Sequence, residues 1–450
     1  MSLSLNTDGH IFPSKANLMT HIEKPIAAVG NVPHSSFGRR GFLSSMVVAG
    51  VAGANSTVAA PDAVASDEST AGDLLSEMKI TRIRFYQAPS RTMFNQSAHV
   101  CTIETDAGIT GIGEGGSPDT IQQTAGLLIG ESPSRIEHLW QLMYRGYFYP
   151  PGREKIHAVG ALDLALWDIK GKVLGIPVHQ LLGGPVRNYV ECYSTGFPGH
   201  KTLRDAARGC MDAGFRAFRT STTGSGDQYN SRHSVKATWK NCIEIREGVG
   251  PDGDWAIDYH TRLDMPDAVR LSTLIEELEP YFCEDLVRSE NRGVYEQLRE
   301  QVKVPIAVGE QFGDRWDINE LMENRLIDYS RVSLPNAGGI TEFMKIAAIA
   351  ETHYIGLVPH FTGPIATAAL VHACSAFPGP TLMEMTGDGM KQIPHLPECY
   401  DFKEGKLWPN QRPGLGVELD TRELKLILEV TENQQGAPVN LRPDGSITNW

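Results

Sequence analysis

Downstream of Met78 the chain alternates apolar and polar residues through Lys79-Ile80-Thr81-Arg82-Ile83, and again through His99-Val100-Cys101-Thr102-Ile103-Glu104-Thr105. A period of two puts successive side chains on opposite faces, so both stretches are predicted strands with one buried face. The turn residues Asp106-Ala107-Gly108 lead into Thr110-Gly111-Ile112-Gly113-Glu114, which predicts a hairpin. At Ala158 the period changes: small and apolar residues recur every three or four positions through Lys170, the spacing of a helix face. Strands followed by helices predict an α+β domain over residues 78–187.

After Gly183-Gly184 the rhythm becomes a short apolar strand followed by a longer amphipathic stretch, repeated. The candidate strands are Val190–Ser194, Ala217–Ser221, Trp255–His260, Tyr281–Glu284, Ile306–Glu310, Tyr329–Leu334, Gly356–His360 and Thr381–Met385. Eight βα units predict a closed α/β TIM barrel over residues 188–390, leaving 391–450 as a C-terminal segment. In such a barrel chemistry sits where strands end, because the loops there vary while the strands hold side chains in place.

Upstream, Gly38-Arg39-Arg40-Gly41-Phe42-Leu43 sets a double arginine before a weakly apolar run from Phe42 to Ala54, too short to span a bilayer. Small-residue sites follow at Ala52-Gly53-Ala54 and Ala63-Val64-Ala65. Residues 1–60 resemble a twin-arginine export signal, and residues 61–77 read as an unstructured linker rich in Ala, Ser and Asp. The mature protein is expected to be periplasmic or exported, with no stable membrane anchor. The chain of 450 residues is 41% hydrophobic and 21% charged, a globular composition. A net charge of −13 argues against nucleic acid as a partner. The seven cysteines show no paired CxxC spacing, so buried free thiols are expected rather than a zinc site.

Three predicted strand ends carry acids: Asp258 in Ala-Ile-Asp-Tyr-His, Glu284 in Tyr-Phe-Cys-Glu-Asp and Glu310 in Val-Gly-Glu-Gln-Phe. Each is one βα unit from the next, which places them on adjacent strands at the same height. Converging anions in a partly dry site must take up protons or bind a cation. Oxygen ligands favour Mg²⁺ over zinc. The competing reading pairs these acids with arginines at the rim. His260 follows Asp258 by two residues, so in an extended strand both point inward, where the imidazole can act as acid or base. His360 and Glu384 end the seventh and eighth strands. Arg219 and Ser221 share a face on the second, and Tyr229 lies in the polar loop that follows them.

These residues resemble the enolase superfamily, in its mandelate racemase subgroup, from Met78 to about Glu418. The acid triad is joined by Ala337-Gly338-Gly339-Ile340-Thr341 and by the helix segment Ala165-Leu166-Trp167-Asp168-Ile169-Lys170-Gly171-Lys172. The resemblance implies a modified (β/α)₇β barrel with an N-terminal α+β capping domain to which the last segment returns. Two positions depart from the subgroup. Arg219-Thr220-Ser221 replaces its Lys-x-Lys pair, and Ser333 replaces the aspartate that supports the seventh-strand histidine. With the segment Asp258-Tyr259-His260-Thr261-Arg262-Leu263, these departures are similar to the mannonate dehydratase branch. That likeness implies Arg219 with Tyr229 as base and His260 as acid.

The activity so implied is Mg²⁺-dependent removal of the proton next to a sugar-acid carboxylate and loss of the β-hydroxyl, giving a 2-keto-3-deoxy acid, with a hydrogen bond from Glu384. Two alternatives stand beside it: an epimerase or cycloisomerase using His260 and His360 on opposite faces, and an exported sugar-acid binding or sensing protein that has lost its base. A small sugar acid is the expected partner, in a homo-oligomer of the chain.

Overall fold

The computed structural model describes residues 70–87, 99–224, 229–387, 389, 395–434 and 439–448. The double arginine and the proposed signal lie outside them. Within the expected linker, Ala71–Glu77 is a helix, a correction with a local cause: Thr70 and Asp73 form a reciprocal capping box at its start.

Strands β1 (Ile80–Gln87), β2 (His99–Thr105) and β3 (Thr110–Glu114) are antiparallel neighbours, with Val100 opposite Glu114 across the predicted hairpin. The helix Gly152–Leu174 lies between this sheet and the rest of the chain. It buries residues nearly all round, from Ile156 and Val159 to Leu166 and Ile169, as a helix covered on both sides must. Its periodicity was legible in the sequence, and it runs about six residues upstream and four downstream of the predicted segment.

The second sheet is a parallel series: β4 (Val190–Thr195), β5 (Ala217–Ser221), β6 (Asp254–Asp258), β7 (Phe282–Glu284), β8 (Ile306–Val308), β9 (Tyr329–Ser330), β10 (Gly356–Leu357) and β11 (Met383–Met385). Strand β11 pairs in parallel with β4, and a parallel bridge between Leu357 and Thr381 links it to β10, so the pairings run round a ring. All eight expected strands are present. Several are shorter than predicted at their C-terminal ends, because the chain leaves the ladder there to form the site. Tyr329–Leu334, for example, keeps ladder pairing only over Tyr329–Ser330.

Strands β12 (Asp401–Lys403) and β13 (Lys406–Trp408) form an antiparallel hairpin against β4, and β14 (Lys425–Val430) pairs antiparallel with β1. The C-terminal segment therefore touches both parts, its hairpin lying on the barrel and β14 on the cap sheet. Asp168 in the long helix fastens the joint, accepting from the Ile112 and Leu415 amides. All seven cysteines are buried free thiols. Among the described residues no helix is long and apolar enough to cross a membrane.

Candidate active site

The barrel interior is layered. Tyr193, Ala217, Ala256, Phe282, Ala307, Val358 and Leu382, with Tyr329 packed against them, form an apolar cluster across the ring. Two residues further along each strand the side chain again points inward, about 6–7 Å higher. Those positions are Thr195, Arg219, Asp258, Glu284, Gly309, Arg331, His360 and Glu384. The apolar floor shuts water out from below, so charges above it are solvated mainly by one another.

Asp258 and Glu284 are direct register partners, at the same height as predicted. Glu310 is not on that ladder. It follows Gly309, which has φ +149 and whose Cβ, if it had one, would lie 2.5 Å from the Val332 amide nitrogen. Glycine lets the chain pass close to its neighbour there, so the carboxylate of the next residue enters the ring from beyond the strand end.

Two guanidinium groups lie among the acids. Arg219 reaches Asp258 Oδ2 at 3.0 Å, Glu284 Oε2 at 2.6 Å and Glu384 Oε1 at 3.1 Å. Arg331, fully buried, pairs with the other oxygen of Glu284, with Glu384 Oε2 at 2.6 Å and with Glu310 Oε2 at 3.5 Å. Burial works to raise the Glu284 and Glu384 carboxyls, but the two arginines outweigh it and hold both below the ordinary carboxylate range. Burial, reinforced by the Glu284 charge, pushes Asp258 up to about 7 and Glu310 up to about 8. Asp285 is buried beside Glu310 and raised well above its usual value. The competing reading, acids paired with arginines, is thus partly realised, and it leaves three carboxyl groups whose ionisation the two arginines do not secure.

The histidines flank Glu310. His260 Nε2 is 3.7 Å from Oε1 and His360 Nε2 is 3.6 Å from Oε2. His260 does not sit in an extended strand facing inward, as the sequence reading had it. β6 ends at Asp258, His260 takes a left-handed φ of 50°, and its side chain is 52% exposed. The Asp258 carboxylate accepts the His260 amide at 2.6 Å, which secures the turn and carries the ring to the rim. Burial lowers the His260 pKa, with Arg262 adding to the effect. His360 is buried, its Nδ1 lies 2.7 Å from Ser333 Oγ, and burial followed by the Arg331 charge pushes it down to about 4.

Three roles implied by the resemblance meet difficulty here. Burial disfavours the Arg219 charge, but the carboxylates around it more than compensate, so it stays a cation and cannot take up a proton. Tyr229 is half exposed beside the helix Ser231–Val249, and the charges acting on it are Asp267, Asp264 and Arg262; the structure does not bring it to Arg219. Glu384, ionised between two arginines and accepting from Thr195 Oγ1, has no proton to donate. Arg331, Asp285 and Thr195 escaped the sequence reading. The signal for Arg331 and Thr195 was the two-residue step from Tyr329 and Tyr193; Asp285 had none, being turned toward the ring by a φ of 43°.

Oxygens of Glu284, Asp285 and Glu310 lie within 4.8 Å of one another, whereas Asp258, the third acid of the expected trio, is turned to Arg219. Asp285 Oδ2 is buried without a hydrogen-bond partner. An all-oxygen donor set with an unsatisfied buried carboxylate oxygen fits a hard divalent cation.

A barrel with ionisable side chains converging at its strand ends, closed by an α+β cap, defines an enzyme architecture. Residues 76–183 match the mandelate racemase / muconate lactonizing enzyme N-terminal domain, and residues 202–424 match the enolase C-terminal domain-like family. The chain belongs to the enolase superfamily. It is 35% identical over 394 residues to D-galactonate dehydratase of Pectobacterium atrosepticum, covering 83% of this chain and all of the relative. It is 36% identical over 394 residues to D-galactonate dehydratase of Ralstonia pickettii, with the same coverage. Among solved structures, an enolase superfamily member from Salmonella Typhimurium superposes with a TM-score of 0.72 at 26% identity, over 78% of this chain and all of that one. An enolase from Pantoea ananatis, with bound D-gluconate and Mg, gives 0.69 at 26% identity over 76% of this chain and 93% of that one.

Proposed function

We propose that this protein is a Mg²⁺-dependent dehydratase of an aldonic acid, with D-galactonate the first candidate. It would remove the proton next to the carboxylate and expel the β-hydroxyl, leaving a 2-keto-3-deoxy acid. The observation that carries this reading is an imbalance between acids and arginines. Asp258, Glu284, Asp285, Glu310 and Glu384 converge on two guanidinium groups, a surplus of carboxyl groups that must hold protons or a cation in a site shut off from water below. The substrate class is supported by the names of the relatives and by the gluconate bound to the Pantoea protein.

A divalent cation at Glu284, Asp285 and Glu310, with Asp258 adjoining, would supply positive charge to the substrate carboxylate as its neighbouring carbon loses a proton. His360 is assigned the role of base. Burial keeps it neutral, its Nδ1 is held 2.7 Å from Ser333 Oγ, and its Nε2 faces Glu310 at 3.6 Å, where a neutral imidazole can take up a proton. His260, at the rim on the other side of Glu310, is assigned the acid that protonates the departing hydroxyl to water. Arg219 and Arg331 hold the acids in place without exchanging protons.

Incubating the protein with Mg²⁺ and a panel of aldonic and aldaric acids tests the reading; a 2-keto acid from D-galactonate or a near relative is expected, and none from any of them would overturn it. One observation favours epimerisation as a second reading, namely two histidines on opposite sides of one carboxylate. Solvent deuterium in recovered substrate, with no keto acid formed, would decide for it. We further propose that Arg39-Arg40 directs export, a reading supported by the apolar run behind the pair and by a family match that begins at residue 76. Replacing both arginines by lysine should leave the protein in the cytoplasmic fraction.

A further inference from the structure

Glu114, the last residue of β3, is fully buried. Its carboxylate accepts the Ile365 amide at 2.8 Å and the Thr362 hydroxyl at 3.4 Å. Ile365 is the second residue of the helix Pro364–Ala376, whose N-cap Gly363 makes no side-chain cap bond and whose first residue, Pro364, has no N–H to offer. The cap thus provides the acceptor that this barrel helix lacks. The approach depends on glycine, since a Cβ at Gly363 would meet Glu114 Oε1 at 2.2 Å. The next helix back, Ile340–Thr352, is treated alike. Its N-cap is Gly339, and Asp163 of the cap accepts from the Thr341 amide at 3.0 Å and from the Thr341 hydroxyl.

These two helices follow the segments that carry Ser333 and His360. The last ladder bond of this strand is the Val358 amide to the Ser330 carbonyl at 2.9 Å, so residues 359–363 rely on other anchors. We propose that Glu114 is a positioning residue for His360: together with Asp163 it clamps, from the cap, the two chain segments that meet in the Ser333–His360 hydrogen bond. Docking of the cap and aim of the imidazole are then one event. A carboxylate at a helix N-terminus is favoured by the helix dipole as well as by the bond, and losing it frees the segment two residues after His360. The proposal rests on the catalytic role assigned to His360, but the clamp itself is physical and can be read without turnover.

The test is a mutant cycle of Glu114→Ala, Gly363→Ala and the double variant, with Glu114→Gln as the conservative control, in the full chain. Glu114→Ala should lower kcat about tenfold to a hundredfold with KM within about twofold, the scale of a misaimed catalytic group. It should also raise amide hydrogen exchange across residues 358–366. Glu114→Gln, which keeps a carbonyl acceptor, should restore both. Gly363→Ala should match Glu114→Ala, yet add little to it in the double variant, because the added methyl then has room. Additive effects, or unchanged exchange and kcat in Glu114→Ala, overturn the clamp. If Glu114→Ala does not fold, Gly363→Ala against Glu114→Gln gives the same comparison. Should wild type turn over no sugar acid, the functional reading fails, while the exchange measurements still decide the clamp.

Discussion

The two layers of the barrel interior are built by the same strands, two residues apart, and they behave as opposites. The lower layer, from Tyr193 through Phe282 to Leu382, is apolar and closely packed. The upper layer holds Arg219, Asp258, Glu284, Arg331, His360 and Glu384, all buried. Stability comes from burial in the first and is at risk in the second, because charges withdrawn from water must be met by partners. The difference teaches that the floor is what makes the ring reactive. Without a dry layer beneath, Asp258 and Glu310 would lose the burial that is the largest cause of their raised pKa values.

The largest effect should come from Glu284→Gln. It removes one of the two anions, with Glu384, that Arg219 and Arg331 share, and turnover should fall below detection with a loss of about 3–5 kcal/mol in denaturant unfolding. A variant as stable and as active as wild type would erase the distinction between the layers. Chelation should come next: removing divalent cations should lower turnover by about a hundredfold or more and lower the melting temperature, and Mg²⁺ should restore both. A chelator with no effect on either would remove the reason for the surplus carboxyl groups.

Phe282→Ala, in the lower layer of the same strand, should cost about 3–5 kcal/mol by opening a cavity. In the fraction that folds, kcat should fall far less than for Glu284→Gln; an equal loss would mean that the layers are not separable. Gly309→Ala should cost about 1–3 kcal/mol of strain and displace Glu310, and reduced Mg²⁺ affinity in a titration is the check.

The smallest effect concerns a buried histidine of the helix Pro364–Ala376. Burial, above all, pushes His372 down to about 4; its Nδ1 lies 3.0 Å from that of His179 and its Nε2 3.1 Å from the Leu415 carbonyl oxygen. Its folded pKa lies below its ordinary 6.5, so between these values the unfolded chain binds more protons. Stability from this group is present above about 6.5 and is lost as pH falls toward about 4. The melting temperature should drop over that window, and less steeply in His372→Gln. A parallel slope would place the acid sensitivity elsewhere.

Much of this was legible in the residues. Alternation found the cap hairpin, a three- and four-residue rhythm found the long cap helix, and equal spacing of acids put Asp258 and Glu284 in register. Reading the same two-residue step through every strand would have reached Arg331, since Tyr329 and Arg331 stand in the relation of Phe282 to Glu284. What escaped was set by backbone turns and by the cap. His260 and Asp285 reach the ring through left-handed residues just past their strands, and nothing in strand periodicity announces where a strand stops. What glycine does at 339 and 363 is visible only in the fold, where the carboxylates of Asp163 and Glu114 stand in the place a side chain would take.

The order of residues was enough to determine an α+β unit followed by a barrel, the strand ends on which chemistry falls and the acidic character of that ring, because periodicity and spacing act along the chain; that the first unit caps the second came from the family resemblance. Which acid meets a guanidinium, which imidazole is buried and which is at the rim, and which cap residue secures the base were decided only by packing. Those outcomes depend on distances between segments far apart in sequence, and in a dry interior a few ångströms separate a paired charge from an unpaired one.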